Sequence, residues 1–346
     1  MTSSAEGKLV STVFEEYGAI TRRALKEYLP GGDPQRYLYD LIDEYPRRGG
    51  KMMRPSLCLA TARAFGARLE DAVRSAAVIE LLHNAMLIHD DIEDASEERR
   101  GRPTLHVQHG VPLALNAGDA MTMLCLRPLI DNSRTLGLGL AWRVMQETDR
   151  MARESAEGQA IELGWIHDNA TRLEDADYLE MVLKKTCWLA TIYPLRVGAL
   201  IGTRDGVELD PFIRFGFFLG TAFQIQDDLL NLVGESAGYG KERDGDIWEG
   251  KRTLMLIRLF SEAAPGERAR LSEILSLGRE ERTAAQVAWV RRLMDAYGCI
   301  DYGRQVARGL GGAALHEHAL LFAGLPDSRD KFFLEALATW VLKRET

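Results

Sequence analysis

Apolar residues recur at three- and four-residue intervals along almost the whole of this chain. That spacing belongs to helices with one buried face. It predicts helices over 7–28, 34–45, 53–66, 70–95, 112–130, 137–165, 174–202, 208–234, 252–262, 267–276, 282–297, 300–321 and 328–343. Breaks fall where glycine, proline or clustered charge interrupts the period: Pro30-Gly31-Gly32, Arg48-Gly49-Gly50, Arg99 to Pro103, Gly202 to Gly206, Gly234 to Gly250, and Pro265-Gly266. Strand-like alternation is hard to find. There is no long polar linker, heptad repeat, low-complexity tract or solenoid period. The pattern predicts one all-α domain over 1–346, with a peripheral helical lobe from about residue 262.

Composition narrows the function classes. The 346 residues are 46% apolar, enough for a large core, and carry a net charge of −8. An acidic chain argues against a general nucleic-acid binder. The four cysteines, Cys58, Cys125, Cys187 and Cys299, are far apart. They form no CxxC or disulfide framework, which implies a reducing, cytoplasmic setting. The first ten residues lack the basic patch and apolar core of a signal peptide. No charge-free run reaches the length of a transmembrane helix.

Two acidic runs change this picture most. Asp90, Asp91 and Asp94 lie in DDIED, and Asp227, Asp228 and Asn231 in DDLLN. Each run sits in an apolar helical stretch, where clustered carboxylates are costly unless cations answer them. On an ideal helix Asp90 and Asp94 share a face, and Asp91 lies about 100° round. A solvated acidic helix end is the competing explanation of a lone DDxxD. The apolar lead-in Ala85-Met86-Leu87-Ile88 weakens it by burying the preceding turns. Bound Mg²⁺ would keep such carboxylates ionised, commonly with substrate phosphate oxygens as further ligands. Basic residues gather around the same breaks, Lys51 and Arg54, Arg99 and Arg100, and Lys241 and Lys251 beyond DDLLN, while Lys185 lies beside Thr186 in an otherwise apolar helix. Arginine forks match phosphate oxygens, and lysine acts as a point charge. The sequence GYGKERDG is neither a GxGxxG nor a P-loop and follows no strand, which disfavours a nucleotide fold.

The ordered set GGKMMRP (49–55), ELLHNAMLIHDDIEDASEERRGRPTLH (80–106), GQAIEL (158–163), Lys185-Thr186, FQIQDDLLN (223–231) and YGKERDGDIWEGKRT (239–253) resembles the trans-isoprenyl diphosphate synthases, or polyprenyl synthetases, and among them the geranylgeranyl diphosphate synthases. The resemblance spans about 200 residues; the C-terminal third carries no comparable signature. It implies a helical bundle around a deep central cavity, a homodimer, and three Mg²⁺ ions held by Asp90, Asp91, Asp94, Asp227, Asp228 and Asn231. It assigns Lys51, Arg54, His83 and Arg100 to the diphosphate of isopentenyl diphosphate. It assigns Arg99, Lys185, Lys241 and Lys251 to an allylic diphosphate, and puts Thr186 and Gln224 near a developing cation. The implied reaction ionises the allylic C–O bond, adds the isopentenyl double bond to the cation, and loses a proton to the released diphosphate. Closure of the 234–250 loop would exclude water.

The chain departs from the family at one position and leaves chain length open at another. The second run ends in Asn231 where the family usually has Asp, so altered Mg²⁺ binding is expected there. Asp227, Asn231 and Glu235 also show the spacing of the metal triad of class I terpene cyclases. A cyclase is therefore an alternative reading, and a non-catalytic synthase subunit another. Ala85 and Met86 match positions that set product length in the family. On an ideal helix Met86 lies under Asp90, whereas Ala85 points away. Neither is aromatic, so a twenty-carbon product is expected, with fifteen carbons or a longer chain as alternatives.

Other residues take plainer roles. His83 and His89 have no third partner at zinc spacing; His89 is expected to be a packed or hydrogen-bonded helix residue. His316-Glu317-His318 is expected at the surface, because i and i+2 point apart on a helix. Trp165, Trp188 and Trp248 are expected in packing, and Lys343-Arg344 at a frayed terminus.

Overall fold

The structure, a computed structural model, describes residues 3–233 and 243–343. The order begins with α1 (Ser3–Tyr28), a π-helical turn (Gln35–Tyr39), α2 (Asp40–Arg47), α3 (Met53–Ala64) and α4 (Leu69–Glu93). A two-residue hairpin follows, β1 (Glu98–Arg99) antiparallel to β2 (Arg102–Pro103). Next come α5 (Leu105–His109), α6 (Val111–Leu124), α7 (Leu126–Asp131), α8 (Ser133–Leu136), α9 (Leu138–His167) and α10 (Asp175–Val182). A π-helical segment (Leu183–Ile192) leads into α11 (Tyr193–Thr203) and α12 (Pro211–Val233). Beyond residue 242 lie α13 (Gly245–Glu249), α14 (Leu254–Glu262), α15 (Pro265–Ser276), α16 (Ala284–Ala296), α17 (Cys299–Leu321) and α18 (Arg329–Leu342).

The bundle core is α3, α4, α9, α11 and α12, and α3 and α11 are apolar on more than one side. In α3 ten of twelve residues are buried, and in α11 nine of eleven. A helix apolar all round must be enclosed by others, and α3 lies directly against α11 and α4. The buried Arg196–Glu147 pair and the Thr148–Tyr193 hydrogen bond fasten α11 to α9. α1 and α18 cover one side through Phe14, whose ring meets Phe333 and Trp340 edge-on at 5.7 and 5.3 Å. The segment after 262 divides. α17 runs along α12, against the bundle itself, whereas α16 lies against α13, α14 and α17, and α15 meets the loop after α9 through Ser272 and Asn169.

Most predicted helices occur within two or three residues of their expected ends. The differences are local. The predicted 112–130 helix breaks at Cys125 into α6 and α7. The predicted 174–202 helix is continuous but π-wound between Leu183 and Ile192. The surface role expected for His316-Glu317-His318 needs correction. His316 is exposed, but Glu317 pairs with Arg214 at 2.6 Å, and His318 is buried and stacked on Phe322 at 4.7 Å. The i and i+2 side chains do point apart, but α17 is covered by α12 and α18, so one of the two faces inward. Trp188 is core, and Trp165 and Trp248 pack against it.

Candidate active site

A cavity of about 590 Å³ opens inside the bundle. Part of its wall is apolar, with Met86, Leu87, Ala156, Ala160, Leu163, Met181 and Leu189. The rest carries charge from α4, α12, the π-helical segment, the β1 strand and residues 246–253. An apolar lining with convergent charged groups is the usual form of a site for an amphiphilic ligand.

The α4 wall carries Asp90 and Asp94, one turn apart, as the periodicity of DDIED requires. Asp94 Oδ2 lies 2.7 Å from Lys251 Nζ, which also reaches Glu249 Oε2 at 2.8 Å. Burial pushes the Asp94 carboxyl up, but Lys251 and Lys185 outweigh it and hold it below the ordinary range. Burial and the neighbouring Asp94 leave Asp90 raised, against the pull of Lys185. Lys185 pairs with Glu162, and that carboxylate leads the charges that raise the lysine despite its burial. The π-helical winding is what turns Lys185 and Thr186 to the cavity. It brings the backbone against α9, where a Cβ on Gly158 would lie 2.1 Å from Lys185 N. Only glycine fits at that contact.

Asp91 is placed differently from Asp90 and Asp94. It is 1% exposed and absent from the cavity wall. Its carboxylate takes Arg99 Nε at 2.7 Å and Arg99 Nη2 at 2.6 Å, together with the Tyr45 hydroxyl. The 100° helical rotation between neighbours accounts for this. Asp91 therefore holds Arg99, while Arg99 itself lines the cavity.

The α12 wall carries Asp227 and Asp228. Asp228 sits in a chain of neutral groups: Tyr178 OH donates to Oδ2 at 2.9 Å and Gln224 Nε2 to Oδ1 at 2.7 Å. Gln224 Oε1 in turn accepts from Thr186 Oγ1 at 2.9 Å. Burial pushes the Asp228 carboxyl up to about 6; the two hydrogen bonds oppose this and Asp227 adds to it. Asn231 is buried and lies off the main cavity. Its Oδ1 accepts from the Asp246 backbone N–H at 3.1 Å, and its carbonyl from Asp244 N–H at 3.0 Å. The amide thus fixes the return of the chain to the cavity, and Asp246 joins the wall.

A second basic group has different partners from the two lysines. Arg54 Nη1 lies 3.3 Å from His83 Nε2, and Arg100 lines the same cavity. Burial lowers Arg54 to about 10, and burial with the nearby arginines keeps His83 well below its ordinary value, hence neutral. Beneath them the buried Glu80 supplies the opposite charge; burial raises its carboxyl against the pull of Arg54. Arg100 is steadied by Nη1 donating to the Tyr45 carbonyl at 3.2 Å.

The structure thus gathers Asp90, Asp94, Asp227, Asp228, Arg54, His83, Arg99, Arg100, Lys185, Thr186, Gln224, Lys251 and Met86 on one cavity. Lys51 is exposed outside it, its Nζ 5.4 Å from the Trp340 ring. Ala85 is buried but not on the wall, as the helical projection requires. His89 lines the cavity and lies 3.3 Å from Asp119. Lys241, Glu235, Arg344 and most of the loop expected to close lie outside the described residues. Tyr45, Tyr178, Glu80 and Glu162 are site residues that no spacing in the sequence singled out. The donor set fits a hard cation: the ligands are carboxylates, and Asp94 Oδ1 is buried and accepts no hydrogen bond. Asp90 and Asp94 on one wall, and Asp227 and Asp228 on the other, would hold it.

This pairing of two carboxylate walls with two basic groups and an apolar lining defines an all-helical enzyme class that handles amphiphilic polyanions. Residues 35–294 match the polyprenyl synthetase family, and the chain belongs to that family. It is similar to a short chain isoprenyl diphosphate synthase of Methanothermobacter thermautotrophicus, 32% identical over 97% of this chain and 99% of that protein. A geranylgeranyl pyrophosphate synthase of Geoglobus acetivorans is 29% identical over 97% of this chain and all of its own. Among solved structures, the geranylgeranyl pyrophosphate synthetase of Pyrococcus horikoshii superposes with a TM-score of 0.84 at 31% identity, covering 98% of this chain and 99% of that one. A polyprenyl synthase of Caulobacter crescentus, complexed with calcium and isoprenyl diphosphate, gives 0.85 at 26%, with 98% of both chains covered.

Proposed function

We propose that the protein is a Mg²⁺-dependent trans-prenyltransferase that joins isopentenyl diphosphate head-to-tail to an allylic diphosphate, with geranylgeranyl diphosphate as its product. One observation carries this reading: a single cavity is lined by two cationic groups with different partners. Lys185 pairs with Glu162, Lys251 with Asp94 and Arg99 with Asp91, whereas Arg54 lies beside His83 and Arg100 donates to the Tyr45 carbonyl. A cyclase acts on one diphosphate and has no use for the second group.

Asp90, Asp94, Asp227 and Asp228 would hold the Mg²⁺ ions, three as the family resemblance implies, whose chemistry would be to neutralise the charge of the departing diphosphate. Lys185 and Lys251 stabilise the same oxygens as point charges. Arg54, His83 and Arg100 hold the isopentenyl diphosphate in line with the allylic carbon. Thr186 and Gln224 turn oxygen dipoles to the region where cationic charge develops, and the apolar lining keeps water from it. The proton lost at the end goes to the released diphosphate. His83, kept neutral among arginines, serves as a binding group.

A homodimer is part of the proposal. Val111, Leu115, Met123 and Ile130 on α6 and α7, with Leu138 and Trp142 on α9, are exposed large apolar side chains on helices that adjoin, α6 on α7 and α7 on α9. Such a stripe suits a second copy of the chain. The four free, buried cysteines accord with a reducing cytoplasm. Among the described residues no helix is long and apolar enough to cross a membrane.

The test is turnover by purified protein with Mg²⁺, isopentenyl diphosphate and each allylic diphosphate, with products resolved by carbon number. The expected result is consumption of isopentenyl diphosphate and a twenty-carbon diphosphate. Cyclised hydrocarbon formed without isopentenyl diphosphate would overturn the reading. Activity appearing only with an added partner chain would make this protein a subunit.

A further inference from the structure

Lys251 reaches the cavity from a short stretch of chain, residues 243–253, whose fixation the bundle alone does not explain. Two buried arginines bracket that stretch. Arg252 is 1% exposed; its Nε donates to the Ala170 carbonyl at 3.1 Å, its Nη2 to Asn169 Oδ1 at 2.7 Å, and its Nη1 to the Gly250 carbonyl. Arg282, beyond α15, is also buried. Its Nε donates to the Ile274 carbonyl at 3.2 Å and its Nη2 to Leu275 at 2.9 Å, at the C-terminal end of α15. Its Nη1 reaches the carbonyls of Ile247 and Trp248 at the end of α13. Neither guanidinium has a carboxylate partner among the described residues. Burial leaves both less basic than usual, and Arg282 adds to the effect on Arg252.

Two buried cations answered only by neutral oxygens are costly in a fold. What they provide is geometry: a planar fork with five donors can fix several acceptors at once, which lysine cannot. Among the acceptors are the Ile247, Trp248 and Gly250 carbonyls of the turn that precedes Lys251; the others lie in the loop after α9 and at the end of α15. Gly250, at φ +72°, completes the fit, since a Cβ there would lie 2.7 Å from Arg282 Nη2. Arg291 of the lobe also reaches this stretch, its Nε 3.8 Å from Asp244 Oδ1, and donates to the Leu232 carbonyl of α12 at 3.2 Å. Asn169, after α9, ties the bundle to the lobe by donating from Nδ2 to the Ser272 carbonyl of α15 at 3.0 Å.

We propose that Arg252 and Arg282 are positioning residues: they clamp the 247–250 turn between the bundle and the C-terminal lobe, so that Lys251 is delivered to Asp94 and the allylic diphosphate. The lobe formed by α15 and α16 is then part of the catalytic apparatus, acting through Lys251. This inference rests on the reading of Lys251 as an allylic-diphosphate ligand.

The experiment uses the full-length protein and the variants Arg282→Gln, Arg282→Lys, Arg252→Gln and the milder Asn169→Ala, with Lys251→Gln as reference. Two readouts are taken: steady-state constants for each diphosphate, and hydrogen exchange of the 247–251 amides. The clamp predicts a loss of about 10²-fold in kcat/KM for the allylic diphosphate, with the KM for isopentenyl diphosphate within about twofold. Exchange at 247–251 should speed up at least tenfold while α3, α4 and α11 keep their protection. Arg282→Lys, which keeps charge and loses the fork, should fail like Arg282→Gln. If Arg282→Lys restores both readouts, or folded variants leave allylic kinetics and local exchange unchanged, the clamp is wrong. Equal losses for both diphosphates with protection lost throughout would reduce the arginines to general stability. Should the glutamine variants not fold, Asn169→Ala decides by the same two readouts. If the wild-type protein elongates no allylic diphosphate, the functional reading fails, and exchange at 247–251 still decides the clamp.

Discussion

The two carboxylate walls line one cavity, and Asp94 on one and Asp228 on the other solve the burial of negative charge in opposite ways. On α4, Asp94 is met by Lys251 and its carboxyl is held low; Asp91 is neutralised outright by Arg99. On α12, Asp228 is met by a tyrosine and a glutamine, and its carboxyl is raised to about 6. The last position of that run is an amide spent on a backbone N–H. A cationic partner keeps a buried carboxylate charged in advance; neutral donors leave it dependent on what binds. Asp94 is thus held ionised in advance, whereas Asp90 and Asp228, both raised by burial, would be charged fully when metal and diphosphate arrive.

The largest expected break of this comparison is Asp94→Ala. It should lower kcat/KM for the allylic diphosphate by about 10²–10³-fold, and Asp228→Asn by much less, measured at saturating Mg²⁺. Equal losses would erase the distinction between the walls. The next effect is on product rather than rate. Met86 stands in the cavity wall one turn below Asp90. Met86→Phe should move the product from twenty carbons toward fifteen or ten, whereas Ala85→Ser, off the wall, should leave it unchanged.

The pH dependence separates the walls by stability. The folded-state carboxyl of Asp228 lies near 6, above its ordinary 3.8. Its ionisation therefore opposes folding above pH 6, and this cost fades as pH falls toward 4. Without Mg²⁺, Asp228→Asn should raise the melting temperature by about 2 °C at pH 7.5, with the gain lost near pH 4. A gain that is independent of pH would point to packing instead. The smallest effect belongs to Asn231→Asp. Because this side chain faces the Asp246 amide rather than the cavity, the Mg²⁺ concentration for half-maximal rate should shift by less than about threefold, a fraction of a kcal/mol.

Much of this was legible in the sequence for physical reasons. Helical periodicity put Asp90 and Asp94 on one face and turned Asp91 and Ala85 off it, and the structure agrees at all four positions. The basic residues in the breaks point to an anion, and all but Lys51 of those described line the cavity. What spacing cannot reveal is pairing across the fold. Tyr45 meets Asp91 from 46 residues away, and Tyr178 meets Asp228 from 50. Nor does spacing reveal the close approach of the π-helical backbone at Lys185 to Gly158 of α9. The C-terminal third carries no motif because its contribution is made through arginine forks to backbone carbonyls, which impose no sequence pattern on their partners.

The central claim is that one cavity holds two distinct diphosphate sites. The most direct test crosses two variants with two substrates: Arg100→Gln and Lys251→Gln, each with KM measured for isopentenyl and for allylic diphosphate. The account predicts that Arg100→Gln raises the isopentenyl KM at least about tenfold, the loss of one charged contact, and leaves the allylic KM within about twofold, with Lys251→Gln doing the reverse. Both constants rising together in both variants would contradict it.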